Sequence, residues 1–208
     1  MARRSRSSTH WRRQQHIDPY VQRAARERWR SRAVFKLKQI QAKERILKPG
    51  MRCIDLGASP GGWSQYAAQV VGPAGRVWAV DLVPMEPVAG VTFIEGDFTA
   101  PETLAALTVA LEDLPVDLVL SDMAPNISGN RAVDQSRASQ LAEEALELCS
   151  EVLRPGGSFL VKLFQGEGFE AVVDAARGRF SKVRLLKPKA SRPESREMYL
   201  LARNRLMV

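Results

Sequence analysis

The chain has 208 residues, of which 45% are apolar and 26% are charged, and its formal net charge is +8. This length and composition predict a globular protein and exclude an intrinsically disordered one. No apolar run approaches the roughly 20 residues of a membrane span, and the N-terminal segment lacks the apolar stretch of a secretory signal, so we expect a cytoplasmic protein.

The charge is concentrated at the two ends of the chain. Residues 1–32 contain ten arginines and two acids, residues 33–181 have a net charge of −6, and residues 182–208 have a net charge of +6. Arginine-rich segments attract polyanions, so these ends predict a nucleic-acid partner, with an acidic membrane surface as the weaker alternative. We expect residues 1–17 to form a basic, flexible arm, and residues 18–208 to form a single domain that includes RNA-binding helices at its N-terminal end.

The first predicted elements are two helices. Asp18 and Pro19 are typical of the cap and first position of a helix, and arginines follow at helical spacing. Ser31 is predicted to cap a second helix, over residues 32–47, with Phe35, Leu37 and Ile40 facing inward. Pro49-Gly50 is expected to end this helix.

Strands and helices then alternate along the chain. Apolar runs predict strands at Arg52–Leu56, Arg76–Asp81, Val91–Glu95, Val116–Ser121, Ser158–Phe164, 182–187 and 198–203. Helical spacing predicts helices at Trp63–Val71, Pro101–Leu111, Asp134–Leu153 and Phe169–Arg177, and Pro155-Gly156-Gly157 is expected to end the third of these. The alternation predicts an α/β fold with a mostly parallel sheet and helices on both faces.

Ligands of such sheets bind at the carboxyl ends of the strands. The first strand runs into a glycine-rich turn, DLGASPGGW (Asp55–Trp63), which matches neither a dinucleotide fingerprint nor a phosphate-binding loop. Asp81 ends the second strand, where an acid can accept hydrogen bonds from ribose hydroxyls, and Asp97 could accept one from an adenine amino group. A nucleoside cofactor without phosphates, S-adenosyl-L-methionine (SAM), fits this pattern; the alternative is an ordinary strand-to-helix turn.

Histidine chemistry is excluded from the body of the chain, because His10 and His16 are the only histidines. Cys53 and Cys149 are the only cysteines, so we predict neither a disulfide framework nor a metal site. Chemistry must therefore use Lys, Asp, Glu, Ser or a cofactor. Lys162 stands inside an apolar strand, SFLVKLF, where a structural role for a lysine is hard to find.

Four segments, in order along residues 26–203, resemble the RrmJ/FtsJ family of SAM-dependent ribosomal RNA ribose 2′-O-methyltransferases. They are GASPGGWSQY (57–66), SDMAPNISG (121–129), VKLFQGEGF (161–169) and SRPESREMY (191–199). The resemblance implies a Rossmann-like methyltransferase fold with a seven-stranded sheet and an antiparallel last strand. It also implies a uridine of the large-subunit RNA A-loop as the acceptor, with the assembled large subunit as the substrate.

The resemblance further implies the residues of the site. The family's catalytic tetrad corresponds to Lys36, Asp122, Lys162 and Glu197, and its cofactor-binding residues correspond to Gly61, Trp63, Asp81, Asp97 and Asp122. Ser59 stands where alanine is more usual, and the N-terminal arm is unusually rich in arginine. We expect a monomer, because no additional apolar face is evident.

Two points stay open at this stage. Lys162 could act as a general base, or it could stay charged and orient the attacking hydroxyl; an ordinary lysine has a pKa of about 10.4. The alternatives to ribosomal RNA ribose methylation are another acceptor such as transfer RNA, a small-molecule methyltransferase, and a non-catalytic RNA-binding assembly factor.

Overall fold

The computed structural model describes residues 18–125 and 128–207. The predicted basic arm at residues 1–17 lies outside these described residues. The helices are α1 (Pro19–Arg26), α2 (Val34–Glu44), α3 (Gly62–Val71), α4 (Pro101–Leu111), α5 (Arg131–Val152) and α6 (Phe169–Arg179). The strands are β1 (Arg52–Leu56), β2 (Arg76–Asp81), β3 (Val91–Glu95), β4 (Val116–Ser121), β5 (Leu153–Phe164), β6 (Phe180–Leu186) and β7 (Glu197–Arg205).

The seven strands form one sheet in the order β3-β2-β1-β4-β5-β7-β6. Strands β1 to β5 pair in parallel. The last strand, β7, lies between β5 and β6 and is antiparallel to both. The predicted mostly parallel sheet with an antiparallel last strand is therefore confirmed.

Helices cover both faces of the sheet. Leu107 of α4, Leu146 of α5 and Val172 of α6 belong to the apolar core on one face. Leu37 of α2 and Ala67 of α3 belong to the core on the other face. Among the described residues, no helix is both long and apolar enough to cross a bilayer.

The chain changes direction across the sheet between β1 and β4. From β1 it proceeds outward to β2 and β3, and it then returns to place β4 on the other side of β1. At such a point the loops after neighbouring strands lead away from each other and leave a crevice at the carboxyl ends. The loops that follow β1 and β4 therefore border the natural ligand site of this fold.

The second helix differs from its prediction at both ends. It begins at Val34 after Ala33, with no side-chain cap, so the prediction of Ser31 as the cap is wrong. Ser31 instead packs against α3, where a Cβ on Gly62 would lie 2.4 Å from its hydroxyl oxygen. The helix ends at Glu44 because Arg45 adopts a left-handed conformation, before Pro49-Gly50 is reached.

The boundary between α5 and β5 also differs. Asn130 caps α5, because its side chain accepts hydrogen bonds from the backbone of Ala132 and Val133. The helix ends at Val152, and β5 already begins at Leu153, so Pro155-Gly156-Gly157 lies inside the strand rather than ending the helix. Leu153 pairs with Val116, and the register then shifts before Leu118 pairs with Ser158. An irregular stretch of strand therefore accommodates the proline and glycines.

Candidate active site and cofactor cleft

Four charged side chains from distant parts of the chain meet at the carboxyl end of β4. Lys36 comes from α2, Asp122 directly follows β4, Lys162 lies in β5, and Glu197 is the first residue of β7. Lys36, Lys162 and Glu197 are each no more than 8% exposed. Charged groups are rarely buried to this extent unless they are paired, so this cluster, here called the quartet, is a candidate reaction centre.

The quartet is a chain of alternating charges. The Nζ atom of Lys162 lies 3.1 Å from Asp122 Oδ1, and the Nζ atom of Lys36 lies 3.7 Å from the same oxygen. Lys36 Nζ also donates a hydrogen bond of 2.7 Å to Glu197 Oε2. Two ammonium groups and two carboxylates give a net charge of zero, which makes the burial of all four tolerable.

Two hydroxyl groups that the sequence did not single out hold the quartet's carboxylates. The Tyr199 hydroxyl donates to Asp122 Oδ1 over 2.6 Å, and the buried Ser191 donates to Glu197 Oε1 over 2.7 Å. The ring of Tyr199 also lies 5.7 Å below Lys36 Nζ. Each carboxylate is therefore fixed by a neutral donor as well as by an ammonium group.

These partners decide the charge of Asp122. Burial by itself raises the pKa of a carboxyl group, but the ammonium groups of Lys162 and Lys36 and the hydroxyl of Tyr199 outweigh it and hold the pKa of Asp122 below its usual value. The same burial, next to two carboxylates, raises the pKa of Tyr199 well above its usual value. Asp122 is thus an anion and Tyr199 a neutral donor near neutral pH.

Lys162 is held by two acceptors on one residue. Its Nζ atom donates to the backbone carbonyl of Asp122 in addition to its contact with the carboxylate. Both acceptors together fix the position of the Nζ atom. The arrangement can therefore hold a positive charge where the loop after β4 leaves the sheet.

A second buried carboxyl group lies on β1, in the strand next to β4. Asp55 is 1% exposed, and its Oδ2 accepts a hydrogen bond of 2.5 Å from the hydroxyl of Ser64. Burial, together with the nearby carboxylates of Asp122 and Asp81, raises the pKa of Asp55 to about 7, although the Ser64 hydroxyl opposes this shift. In the part of the chain that the structure describes, the groups that act on this carboxyl are Ser64 and the two carboxylates, and none of these is a cation.

An open cleft of about 580 Å³ adjoins the quartet at the ends of β1, β2 and β4. Its lining includes Gly57, Asp81, Asp97, Asp122 and Met123, so three of the sequence-predicted cofactor residues meet there. A Cβ atom on Gly57 would lie only 2.2 Å from the Met123 side chain, so this loop packs directly against the segment after β4. The volume suits a nucleoside-sized ligand.

Two of the three acids of the cleft, Asp81 and Asp97, are held in place by backbone amides. Asp81 Oδ2 accepts from the amide of Ser59, and Asp81 Oδ1 accepts from the amide of Val83, both over 2.8 Å. Asp97 Oδ1 accepts from the backbone and hydroxyl of Thr99. A carboxylate has about four acceptor positions, so each acid retains capacity for a hydroxyl or amino group of a ligand.

Gly61 and Trp63 lie at the start of α3, outside the residues that line the cleft. The Trp63 side chain is 3% exposed, its indole N–H donates to the carbonyl of Ala33, and its ring lies 5.8 Å from that of Tyr199. The structure thus places the Trp63 ring beneath the quartet rather than in the cleft. A contact of either residue with a cofactor would involve the backbone at the start of α3.

Arg30, which the sequence analysis did not single out, joins the segment after α1 to two loops near the cleft. Its guanidinium donates to the carbonyls of Pro60, Glu86 and Pro87. Its backbone amide donates to the side chain of Gln65 on α3. An arginine among other arginines of a basic segment carries no sequence signal for such a role.

Comparisons with known proteins agree with this geometry. The model of the family described as FtsJ-like methyltransferase matches residues 29–205. Ribosomal RNA large subunit methyltransferase E of Pseudomonas aeruginosa is 54% identical over 200 residues, which cover 96% of this chain and 97% of that protein. The protein of the same name from Pseudomonas paraeruginosa shows the same identity and coverage.

Solved structures share the fold. A crystal structure described as a ribosomal RNA methyltransferase from Plasmodium falciparum has a TM-score of 0.79 at 27% identity, and the match covers 86% of this chain and 100% of that chain. Aeropyrum pernix fibrillarin, solved with natively bound S-adenosyl-L-methionine, has a TM-score of 0.59 at 19% identity and covers 83% of this chain and 74% of its own. At 19% identity the second likeness concerns the fold alone. The predicted Rossmann-like methyltransferase fold is confirmed.

Proposed function

The chain belongs to the FtsJ-like methyltransferase family, and we propose that this SAM-dependent enzyme methylates a ribose 2′-hydroxyl of large-subunit ribosomal RNA. The observation that carries the proposal is the quartet, in which Lys36 and Lys162 both face one oxygen of Asp122 beside a nucleoside-sized cleft. The near-full-length relatives, named as large-subunit ribosomal RNA methyltransferases, support this substrate. We propose that the acceptor is a uridine of the A-loop within the assembled large subunit.

The cleft suits SAM. Asp81 is placed to accept from the ribose hydroxyls and Asp97 from the adenine amino group, with the glycine turn after β1 beneath them. When bound, SAM supplies an electrophilic methyl group on a positively charged sulfur. Asp122 lines the same cleft and belongs to the quartet, so the cofactor site and the reaction centre adjoin.

We propose that Lys162 acts as an ammonium group. In this role it would donate a hydrogen bond that positions the 2′-oxygen for in-line attack, while the hydroxyl proton would pass to solvent water as the oxygen–methyl bond forms and the methyl–sulfur bond breaks. Its contacts with the carbonyl and the carboxylate of Asp122, in which it acts as a donor, support this role. Lys36 and Glu197, joined at 2.7 Å, are placed to fix the substrate ribose.

The RNA would approach across the two basic regions predicted from the sequence. Arg26 and Arg28 are exposed at the end of α1, and Lys187, Lys189 and Arg196 are exposed between and along the last two strands. Arg32 connects the two regions, because it pairs with Asp18 at 3.0 Å and donates to the carbonyl of Ala190 at 2.7 Å. Cations from both regions can therefore contact one RNA molecule.

We also propose a cytoplasmic monomer. The large apolar side chains that are exposed come from five separate segments of the described chain, around residues 82, 109, 133, 185 and 206. Sedimentation analysis should give the mass of a single chain, 23.1 kDa.

The deciding experiment is transfer of a tritiated methyl group from SAM to large ribosomal subunits purified from a strain that lacks this enzyme. Nuclease mapping of the product should place the label on a ribose 2′-oxygen of a uridine. Lys162→Ala should reduce kcat by about 10²–10⁴-fold, because it removes the group next to the reacting oxygen. Wild-type protein that binds RNA but neither binds SAM in a calorimetric titration nor transfers label would instead be an assembly factor.

Lys162→Arg separates the two roles of this residue. Arginine stays protonated in proteins, so it can orient the hydroxyl and stabilise charge but cannot accept a proton. We expect Lys162→Arg to retain much more activity than Lys162→Ala. Equal loss in the two variants, together with an acidic limb of the wild-type pH-rate profile that disappears when Lys162 is replaced, would identify Lys162 as the base instead.

A further inference from the structure

A groove on the far side of the quartet is not used by the mechanism above. It has a volume of about 260 Å³ and lies between α2 and the end of β6. Its apolar lining consists of Ile40, Leu186, Pro188 and the exposed Ala42, and three lysines, Lys43, Lys187 and Lys189, also line it. We propose, on the basis of the proposed function, that this groove binds the base of an RNA nucleotide flanking the methylated ribose.

The groove continues the face of α2 that carries Lys36. Residues four and seven positions apart lie on one face of a helix, so Lys36, Ile40 and Lys43 form a single stripe. With a rise of about 1.5 Å per residue, Ile40 lies about 6 Å and Lys43 about 10 Å along the helix from Lys36. The groove therefore lies close enough to the quartet for a nucleotide next to the held ribose to reach it.

The charges at the groove favour a polyanion. Lys43, Lys187 and Lys189 are all exposed. The one acid of the lining, Glu44, is paired with Arg184 at 2.8 Å and with Arg203 at 3.1 Å. Lys187 donates one hydrogen bond to the carbonyl of Ser195, and its ammonium group has two further donors. Lysines of this kind suit the phosphates of a strand whose base enters the groove.

The wall between the groove and the quartet is fixed. Gln39 accepts from the amide of Ala190 at 2.9 Å and donates to the hydroxyl of Tyr20 at 3.2 Å. Ser191, which follows Ala190 in the chain, donates a hydrogen bond to Glu197 of the quartet. An apolar slot lined by lysines, with a fixed wall, can cover the face of an unstacked base while the lysines contact its flanking phosphates.

The test is to fill the groove from its exposed side with Ala42→Phe, using Ala42→Ser as the matched control. Affinity for large subunits and methyl transfer are measured separately, and the melting temperature verifies folding. We expect Ala42→Phe to weaken binding of large subunits and to raise their KM by about 10-fold, the size of one lost base contact. The kcat and the affinity for SAM should stay unchanged. Binding within twofold of the wild type in a folded Ala42→Phe protein would overturn the proposal.

A charge variant tests the same groove without steric change. The double variant Lys43→Gln/Lys189→Gln should flatten the salt dependence of RNA binding by about one lost phosphate contact for each lysine. Lys48→Gln/Arg76→Gln removes two exposed cations that lie outside the groove and outside both basic regions, and this control should leave the salt dependence of RNA binding unchanged. Equal effects of the two pairs would mean that the groove lysines contribute only through the general positive charge of the protein, and this would overturn the proposal.

The groove and the proposed function can also fail separately. If the wild type does not methylate large subunits but binds them, and Ala42→Phe binds them more weakly, the groove is upheld and the proposed function is refuted.

Discussion

Asp55 is buried and Asp122 is partly exposed; they belong to neighbouring strands, and their surroundings give them opposite properties. Asp122 faces Lys162 and Lys36, which hold its pKa below the usual value, whereas the pKa of Asp55 is raised to about 7 by its burial and by other carboxylates. Each also accepts a hydrogen bond from a hydroxyl, that of Tyr199 or of Ser64. Cationic partners rather than burial therefore decide which carboxyl group serves as an anion at neutral pH.

The same substitution at the two sites should give the largest contrast. Asp122→Asn leaves the buried ammonium groups of Lys36 and Lys162 without their shared anion, so we expect kcat to fall by at least about 100-fold. The free energy of unfolding should fall by about 3–5 kcal/mol. Asp55→Asn should keep activity within a few-fold of the wild type, as measured by methyl transfer under saturating SAM. Comparable activity in the two variants would remove the functional distinction between these aspartates.

The pH dependence of stability should have opposite signs for the two aspartates. The folded pKa of Asp55 is raised, so its ionisation opposes folding, and the cost grows as the pH rises from about 4 to about 7. Asp122 has a lowered folded pKa, so its contribution is present above pH 4 and is lost as the pH falls below that value.

Asp55→Asn should therefore gain stability relative to the wild type as the pH rises from about 4 to about 7. The full effect is on the order of 4 kcal/mol, since one pKa unit corresponds to about 1.4 kcal/mol. Urea unfolding of both proteins at several pH values measures the difference. A difference that does not change with pH would mean that Asp55 is already ionised at pH 5.

Removing the hydroxyl group that donates a hydrogen bond to each aspartate should have the smallest effects. Tyr199→Phe takes a donor from Asp122, so the pKa of Asp122 rises, and the acidic limb of the pH-rate profile should move to higher pH with a loss in kcat of about 10-fold. Ser64→Ala takes the donor from Asp55 and should cost about 1 kcal/mol of stability at pH 8 with an unchanged pH-rate profile. A shifted profile in Ser64→Ala, or an unshifted one in Tyr199→Phe, would contradict these assignments.

Local patterns were sufficient for much of the fold. The bounds of β1 to β4 and of α4 match their predictions, because short apolar runs between turn residues, and a proline at the first helical position, act within a few residues. Tertiary contacts decided the exceptions. Ser31 packs against Gly62 instead of capping α2. Pairing with β4 keeps Pro155-Gly156-Gly157 within strand β5.

The residues of the site also divide into those with a local sequence signal and those that only tertiary contacts reveal. Lys162 was recognisable because a lysine inside an apolar strand needs a partner, and Asp81 because it ends a strand. Lys36 and Glu197 carry no such signal, since a lysine on a helix and a glutamate near a strand end are ordinary; only the family resemblance indicated them. Tyr199 was missed because a tyrosine in a strand is typical of a core, and its hydrogen bond to Asp122 spans 77 residues. Contacts between residues so far apart along the chain leave no pattern in the local sequence.

The position of β7 has a consequence for the synthesis of the protein. This strand follows every other helix and strand of the described chain, yet it lies between β5 and β6 and delivers Glu197 and Tyr199 to the quartet. A nascent polypeptide that has emerged only as far as β6 has two strands without the neighbour that joins them, and a reaction centre that lacks one carboxylate and one phenol. The emerging chain would therefore gain activity only after translation has passed β7 and released it from the exit tunnel.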